Sequence, residues 1–292
     1  MSAARAVTIV GPGRVGLALG YALTQSGAVD ELTVCGRRQD PPAHPLFTQG
    51  AARYVFGLEA PKPGMEAIFL AVPDAVLPEM AHALAGQGPA PEECAAFHLS
   101  GALPTDVLSP LHAGGYAVGS FHPLQAIAHP VTGAERLRGA YVAVSGSPVA
   151  VAVARRLAAE LGSPILTVPE TWRAQYHAAA VMASNYLPPL LDAACRILER
   201  AGVPHEEALP AILPLVRGTL ANIEELGLAA SVTGPLARGD TETVELHLRA
   251  LDEHDRRLYA LLGKELTRLA GPELNDDARK ALLERFEEET KR

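Results

Sequence analysis

The sequence of 292 residues predicts an α/β fold in which a doubly wound, mostly parallel sheet is followed by an all-α C-terminal domain. Three observations predict this arrangement. Short β-branched apolar runs alternate with helical patterns through the first half of the chain. A glycine-rich turn joins the first of these runs to a helix. Strand patterns stop near Pro169 and only helical patterns follow, so we expect domains over residues 1–169 and 170–292.

Seven short apolar runs are predicted to be strands, because they are rich in β-branched residues and are bounded by turn residues. They cover residues 7–10, 32–35, 67–72, 95–99, 117–121, 141–144 and 165–168. Helical patterns over residues 75–84 and 149–161 lie between strands and are typical of crossover helices in a parallel sheet.

Four helical patterns make up the predicted C-terminal domain. They cover residues 170–200, 204–226, 241–269 and 272–291. The first is expected to be one connecting helix with a kink at Pro188 and Pro189, because a proline cannot donate a hydrogen bond to the carbonyl four residues back.

The composition limits the class of protein. Hydrophobic residues make up 48% of the chain and the formal net charge is −8, with no long basic run, which argues against a nucleic-acid or anionic-membrane partner. We expect neither a membrane span nor a signal peptide, because no uncharged apolar run reaches about 18 residues. Cys35, Cys94 and Cys195 have no C-x-x-C spacing, which indicates free thiols in a cytoplasmic protein and no metal site.

Residues 11–16 read Gly-Pro-Gly-Arg-Val-Gly, a G-x-G-x-x-G motif directly after the first predicted strand. The first glycine is expected to turn the chain, the second to admit a pyrophosphate and the third to let the helix pack closely. Free N–H groups at the helix N-terminus would face the phosphates. The motif predicts dinucleotide contacts from Gly11, Gly13, Arg14, Val15 and Gly16. The alternative is an ordinary strand-to-helix turn.

The end of the second predicted strand favours one nicotinamide cofactor. An acidic residue normally binds the ribose 2′-hydroxyl of NAD there, but this chain has Arg37 and Arg38. Two guanidinium groups can pair with a 2′-phosphate, so we expect NADP as the cofactor. At roughly 1.5–3 kcal/mol for one charge-assisted contact, the preference over NAD would be about tenfold to a hundredfold or more. The alternative is a pair of solvated loop arginines.

Polar and turn-forming residues follow the next three predicted strands, at the edge where a doubly wound sheet binds ligands. Val72, Pro73, Ser100 and Gly101 are predicted to contact the cofactor, and His98 or His122 to hold a proton. The alternative for each histidine is a core or turn residue whose hydrogen bonds are satisfied.

The strongest indication of a functional site in the second half of the chain is at residues 176–185, which read Tyr-His-Ala-Ala-Ala-Val-Met-Ala-Ser-Asn. At about 100° per residue, His177 and Ser184 share one helix face, and Asn185 lies some 80° round from His177. The alanines would let another surface approach, so the segment predicts a ligand site or a packing site. The alternative is a polar stripe buried in a helical interface.

A loop dense in turn residues follows at 233–244. Arg238 is flanked by glycine and could bind a substrate carboxylate through two hydrogen bonds. Asp240 could contribute to the site or act as the N-cap of the next helix, and Pro235 fits a first helical turn. His247 shares a face with Val244 and other apolar residues and is predicted to point inward.

These motifs resemble the Rossmann-like proteins with a DUF2520 C-terminal domain, relatives of pyrroline-5-carboxylate reductase and ketopantoate reductase in the 6-phosphogluconate dehydrogenase-like superfamily. The resemblance covers nearly the whole chain and implies a Rossmann fold. Pyrroline-carboxylate reductases pair through intertwined helical domains, which implies a homodimer here. Ketopantoate reductases place a Lys and an Asn one turn apart on the connecting helix, but this chain has no lysine from Met65 to Gly263. His177 is taken as the only basic group with a comparable placement on that helix.

The sequence therefore predicts an NADPH-dependent oxidoreductase that reduces a small anionic keto or imino acid between its domains. The candidate catalytic residues are His177 as proton donor or substrate polariser, Ser184 and Asn185 as hydrogen-bond donors, Arg238 as carboxylate anchor, and Asp240 and His122.

Two alternatives remain open. The missing lysine favours an NADP(H)-binding sensor or scaffold that performs no turnover. A methyltransferase-like use of the glycine loop is disfavoured by Arg37 and Arg38, which replace the expected acid.

Overall fold

A computed structural model describes residues 5–271 and 274–291 of the chain. Two compact units are present, which divide between Ser184 and Asn185. Among the described residues, no helix combines the length and the apolar character needed to cross a bilayer. The three cysteines are free, as predicted.

The first unit contains one sheet of eight strands. They are β1 Ala6–Val10, β2 Glu31–Gly36, β3 Arg53–Phe56, β4 Met65–Leu70, β5 Ala95–His98, β6 Ala117–Pro123, β7 Val142–Gly146 and β8 Ile165–Thr167. Their order is β3-β2-β1-β4-β5-β6-β7-β8. Neighbouring strands pair in parallel, except that β7 is antiparallel to β6. The prediction of a doubly wound, mostly parallel sheet is confirmed.

Helices cover both faces of the sheet. They are α1 Arg14–Gln25, α2 Pro45–Thr48, α3 Leu77–Ala85, α4 Ser109–Ala113, α5 Pro130–Leu137, α6 Pro148–Glu160 and α7 Arg173–Ser184, with 3₁₀ turns at Asp74–Val76, Thr105–Leu108 and Glu170–Trp172. Alternate residues of β4 enter different cores, since Phe69 lies in one apolar cluster and Ile68 and Leu70 lie in the other. Two buried faces explain the continuous apolar runs that predicted the strands.

Strand β3 is absent from the predicted strands. It has four residues, none of them buried, and it lies at the edge of the sheet. Arg53 on this strand donates a hydrogen bond to Thr33 and pairs with Glu59. Residues 54–56 read Tyr-Val-Phe, which has the apolar and aromatic character of a strand, but this run is shorter than the runs of at least four residues that predicted the other strands.

The second unit is helical. Its helices are α8 Leu187–Arg200, α9 His205–Ala230, α10 Gly234–Ala237, α11 Thr241–Ala250, α12 Glu253–Leu269 and α13 Asp276–Lys291. A small core includes Val244, Leu248 and Phe286. The buried carboxylate of Asp255 pairs with Arg196 and Arg200 and so joins α12 to α8.

The predicted connecting helix over residues 170–200 is two helices, α7 and α8. Pro188 and Pro189 lie in the first turn of α8, where a helix leaves its N–H groups unpaired and a proline loses nothing. The helix is therefore interrupted at residues 185–186, just before the prolines, and is not kinked at them.

Two other predicted helices differ from the observed ones in where they begin or break. The pattern over 241–269 is two helices, because Asp252 accepts a hydrogen bond from the backbone N–H of Asp255 and caps α12. The last helix begins at Asp276, and Pro272, where the prediction began, lies outside the described residues.

The division of the units differs from the boundary expected near Pro169. Helix α7 packs with the sheet, because the buried Arg173 at its start donates a hydrogen bond to the backbone oxygen of Ser100 and another to Oγ of Ser120. The loss of strand patterns near Pro169 indicated where the sheet ends. It did not indicate that α7, which follows, packs with that sheet.

Candidate functional site

Three glycines set the shape of the turn between β1 and α1. Gly11 has φ +110°, and a Cβ atom there would lie 2.4 Å from the backbone oxygen of Ala71. A Cβ at Gly16 would lie 2.2 Å from the oxygen of Gly11, so only glycine lets α1 begin this close to the sheet. A Cβ at Gly13 would meet nothing within 4 Å. The space beside Gly13 is therefore open to a ligand, as the motif predicts.

A cavity of about 500 Å³ lies beside this turn. It is placed at the ends of β1, β2 and β4, where the strand order reverses. Its lining includes the predicted cofactor residues Gly11, Gly13, Arg37, Arg38, Val72 and Pro73. Arg14 and Val15 are exposed at the start of α1 and are absent from that lining. The volume lies within the range of small-molecule and cofactor sites, about 300–1,000 Å³.

Two exposed cations line the cavity. Arg37 and Arg38 form no ion pair with any described residue, although Asp40 also lines the wall. The hydroxyl of Tyr54 donates a hydrogen bond of 2.7 Å to the backbone oxygen of Arg38. The N-terminus of α1 and two guanidinium groups free for a ligand fit a group that carries several phosphates.

A second cluster lies at the carboxyl ends of β4, β5 and β6. Ser100 follows β5, and its hydroxyl donates a hydrogen bond of 2.7 Å to Oδ2 of Asp74. Oγ of Ser100 also accepts hydrogen bonds from the N–H groups of Ala102 and Leu103, at 3.2 and 3.0 Å. Asp74 directly follows Pro73 in the cavity wall, so the two clusters are continuous along the chain.

Arg173 donates hydrogen bonds to residues of β6 and β7 and to the turn after β5. Its guanidinium is 1% exposed and donates to the backbone oxygen of Ser100 at 2.6 Å, to Oγ of Ser120 at 2.7 Å and to Oγ of Ser145 at 3.1 Å. Burial lowers its pKa, and the nearby carboxylate of Glu170 opposes that shift. The hydrogen bonds connect α7 with β6, with β7 and with the residue that follows β5.

Two histidine rings meet at Gly101. A Cβ atom at Gly101 would lie 2.5 Å from Nδ1 of His177 and 2.9 Å from Nε2 of His122. The two rings are nearly perpendicular, with centroids 5.9 Å apart. Nδ1 of His177 is buried and has no hydrogen-bond partner among the described residues. Nδ1 of His122 lies 2.7 Å from the hydroxyl of Tyr176.

Burial sets the protonation of this cluster. Burial, followed by the charge of Arg173, lowers the pKa of His98 to about 3. Burial, followed by the neighbouring His177 and then Arg173, lowers the pKa of His122 to about 4. Burial raises the pKa of Tyr176 to about 12, although Arg173 opposes that shift. The rings of His98 and His122 are therefore neutral at pH 7.

His98 and His122 differ in accessibility. His98 is completely buried, and its Nδ1 accepts a hydrogen bond of 3.2 Å from the backbone N–H of Ser100. It therefore fixes the turn after β5, but its buried Nε2 has no hydrogen-bond partner among the described residues, so His98 is not the fully satisfied core histidine of the alternative. His122 is partly exposed and is the better candidate for proton transfer.

The remaining candidates lie at the end of α7 and in the second unit. Ser184 is the exposed last residue of α7, and Asn185 follows in an exposed turn. Arg238 is exposed after α10 and has no ion pair with a described residue. Pro235 is in the first turn of α10, as predicted.

Asp240 is the N-cap of α11, which confirms one of its two expected roles. Its Oδ1 accepts from the N–H of Thr243 at 3.0 Å and its Oδ2 accepts from the hydroxyl of Thr243 at 2.7 Å. These hydrogen bonds lower the pKa of Asp240. The prediction that His247 points inward is wrong: its side chain is exposed, and its Nδ1 lies 2.9 Å from the hydroxyl of Tyr259.

Sequence reasoning missed several groups of the second cluster. Arg173 is on the same helix as His177, one turn earlier, so the statement that His177 is the only comparable basic group on that helix is wrong. The spacing of four residues was the available signal. The other groups not predicted as site residues are Asp74, Ser120, Ser145, Glu170 and Tyr176. No described cluster of His, Cys, Asp and Glu side chains could hold a metal ion.

Comparisons with known proteins agree with this architecture. A Rossmann-like domain model matches residues 1–123, and the domain of unknown function DUF2520 matches residues 140–266. The resemblance drawn from the sequence motifs is confirmed. No curated protein matches the sequence.

The solved structures that are similar to the chain include three from different organisms. A Thermotoga maritima protein has a TM-score of 0.70 and 23% identity, covering 90% of this chain and 98% of its own. A proposed NADP oxidoreductase from Bacteroides fragilis has a TM-score of 0.68 and 24% identity, with the same coverage of 90% and 98%. Plasmodium falciparum pyrroline carboxylate reductase, solved with NADP bound, has a TM-score of 0.60 and 12% identity, covering 98% and 99%. At these identities the likeness shows a shared fold.

Proposed function

The chain matches a Rossmann-like domain followed by a DUF2520 domain, and from this premise we propose that it is an NADPH-dependent oxidoreductase that reduces a small keto or imino acid. One observation carries the proposal. Nitrogens of His122 and His177 converge at Gly101. The neighbouring Ser100 donates a hydrogen bond to Asp74, which directly follows the cavity residue Pro73. This arrangement supports a site in which proton-bearing groups act beside a bound nucleotide.

The residues present fit NADP. The open face at Gly13 leaves room for a pyrophosphate, and the start of α1 presents free N–H groups to it. Arg37 and Arg38 would bind the 2′-phosphate, since neither is engaged by a described carboxylate. A bound NADPH supplies a hydride, and the protein supplies orientation and protons.

The candidate substrate residues keep the roles expected from the sequence. His177 would donate a proton to the substrate or polarise it, which its buried Nδ1 without a described partner supports. Ser184 and Asn185 would donate hydrogen bonds, and Arg238 would bind the carboxylate. The cytoplasmic location expected from three free thiols stays part of the proposal.

We also propose a homodimer that forms through the helical unit. Helix α9 covers His205–Ala230 with a kink at Gly227, where the backbone is not helical, and Ala208 is its one buried residue. Its exposed leucines are Leu209, Leu215, Leu220, Leu226 and Leu228. Exposed apolar surface of this extent marks an interface, and a second copy of the chain would cover it.

The test is consumption of NADPH by the purified protein with ketopantoate, other branched 2-keto acids and cyclic imino acids, each repeated with NADH. Turnover with one substrate class and a preference for NADPH is the expected result. The Arg37→Ala/Arg38→Ala variant should lose that preference, while Arg138→Ala, an exposed arginine after α5, should keep it. NADPH binding without turnover on any member would instead favour the sensor function.

A further inference from the structure

Tyr176 and His122 form a pair that bridges α7 and β6. The phenol oxygen lies 2.7 Å from Nδ1 of the ring, and the two ring planes are perpendicular with centroids 5.5 Å apart. Both side chains are partly buried. Tyr176 is absent from the candidate residues assigned a role above.

We propose that Tyr176 donates its hydroxyl hydrogen to His122 and that the pair passes a proton through the imidazole ring to the oxygen of a keto substrate. The inference rests on the proposed reductase function and deepens it. His122 would be the catalytic residue that touches the substrate, and Tyr176, which acts through it, would be a positioning residue.

The geometry at Gly101 indicates which nitrogen of His122 would release the proton to the substrate. Nε2 of His122 faces the space that a Cβ at Gly101 would occupy, and Nδ1 of His177 faces the same space. When Nδ1 of a neutral imidazole accepts a hydrogen bond, its hydrogen is on Nε2. Tyr176 as donor would therefore direct an N–H of His122 toward this space.

The groups around His122 explain why the ring needs a proton source. Tyr176, His177 and Arg173 face it from α7, and His98 lies on the neighbouring strand β5. Burial, His177 and Arg173 together keep the ring neutral at pH 7, so it cannot act as an imidazolium acid. A neutral ring can still give up the hydrogen on Nε2 if it gains another on Nδ1.

The proton balance closes with water. Reduction of the substrate carbonyl leaves an electron pair on its oxygen. The Nε2–H bond then breaks as the O–H bond of the product alcohol forms, and the Tyr176 O–H bond breaks as an Nδ1–H bond forms. The ring stays neutral, and Tyr176 is left as a phenolate. The starting pair is restored when the Nδ1–H bond breaks as the Tyr176 O–H bond re-forms and Nε2 takes a proton from water, which leaves hydroxide. The cation of Arg173 favours this phenolate, because it opposes the rise in the pKa of Tyr176 that burial causes.

Imino substrates provide an internal comparison. An imine that is protonated before it is reduced already carries the hydrogen that its nitrogen keeps. Its reduction therefore needs no proton from His122. The relay predicts that loss of the Tyr176 hydroxyl slows the reduction of keto acids and leaves the reduction of protonated imines unchanged.

The experiment compares the wild-type protein with Tyr176→Phe and with Tyr141→Phe, an exposed tyrosine before β7. The ¹⁵N NMR spectrum of His122 at pH 7 should show the Nε2–H tautomer in the wild type and a mixture of tautomers in Tyr176→Phe. The kcat of Tyr176→Phe on a 2-keto acid should fall on the order of 10²-fold. The Kd for NADPH and all properties of Tyr141→Phe should stay at the wild-type values.

Three results would overturn the relay. An unchanged His122 spectrum in Tyr176→Phe removes its first step, and this measurement needs no turnover. If Tyr176→Phe lost kcat equally on keto and imino substrates, Tyr176 would have only a structural role. If Tyr176→Phe kept the wild-type kcat, Tyr176 would take no part in proton transfer. A wild-type protein that binds NADPH but reduces no carbonyl would overturn the proposed function itself and the proton transfer that rests on it.

Discussion

Gly101 leaves a space between two imidazole rings that any side chain would fill. A Cβ there would lie 2.5 Å from Nδ1 of His177 and 2.9 Å from Nε2 of His122. Gly101→Ala should displace both rings and lower kcat by about 10- to 100-fold, because displacements near 1 Å have effects of this size. The matched control is Gly218→Ala in α9, where a Cβ meets nothing within 4 Å.

Steady-state kinetics and NADPH titration together check this prediction. The Kd for NADPH should stay at the wild-type value, because the cavity beside the glycine turn is not altered. A Gly101→Ala variant with wild-type kcat would mean that the two nitrogens do not act on the substrate.

His98 couples the stability of the first unit to pH. Its pKa falls to about 3 through burial and the nearby Arg173, whereas an unfolded histidine titrates near pH 6.5. Between these values the unfolded chain binds the proton more readily, so stability falls as the pH drops below about 6.5. The slope for one such group is about 1.4 kcal/mol per pH unit. Above pH 6.5 the contribution is fully present.

Urea unfolding at intervals from pH 7.5 to 5 measures this slope. His98→Asn should give a shallower dependence than the wild type, although the partly buried His122 and the buried His44, whose pKa values burial also lowers, keep part of it. His82→Asn changes an exposed histidine of α3 and should keep the wild-type slope. A slope that His98→Asn leaves intact would assign the effect to other groups.

Helix α11 depends on its first cap. Asp240 accepts hydrogen bonds from the N–H and the hydroxyl of Thr243. Asp240→Ala should therefore lower the free energy of unfolding by about 0.5–2 kcal/mol, whereas Asp240→Asn, which keeps an acceptor, should lose much less. Thermal unfolding of both variants checks the cap. A stable Asp240→Asn variant with greatly reduced kcat would show a catalytic role in addition to the cap.

Breaks between helices depend on single residues that a long apolar pattern hides. The apolar stripe of α11 and α12 runs on through Leu251, but Asp252 caps a new helix. Pro188 and Pro189 likewise begin α8. In each case local backbone hydrogen bonding decides the break, and the apolar spacing carries no information about it.

The exposed leucines of α9 bear on the oligomeric state of the whole molecule. Leu215 and Leu220 of α9 are 71% and 54% exposed. The double variant Leu215→Glu/Leu220→Glu should raise the dimer Kd at least about tenfold, because burying unpaired charges is unfavourable. Sedimentation velocity over a range of concentrations measures it. Val149→Glu on α6, an exposed apolar residue of the first unit, is the control and should stay dimeric. A wild-type monomer would contradict the proposed dimer.

The sequence by itself determined the sheet and the nucleotide turn. Buried parallel strands require apolar runs, and a close strand-to-helix turn requires glycine at Gly11 and Gly16, so both leave local signals. The position of Arg37 and Arg38 beside the cavity could be predicted in the same way, because the end of β2 lies at a fixed place in this fold. The family resemblance followed from these and the later motifs.

Only the tertiary structure decided which polar groups work together. Arg173 reaches Ser120 and Ser145, and Tyr176 reaches His122, across separations of 28 to 54 residues. The edge strand β3 also depends on pairing with β2, because its own apolar run over residues 54–56 is too short to predict a strand. Such contacts depend on packing between distant segments, and the spacing of residues along one segment does not record them.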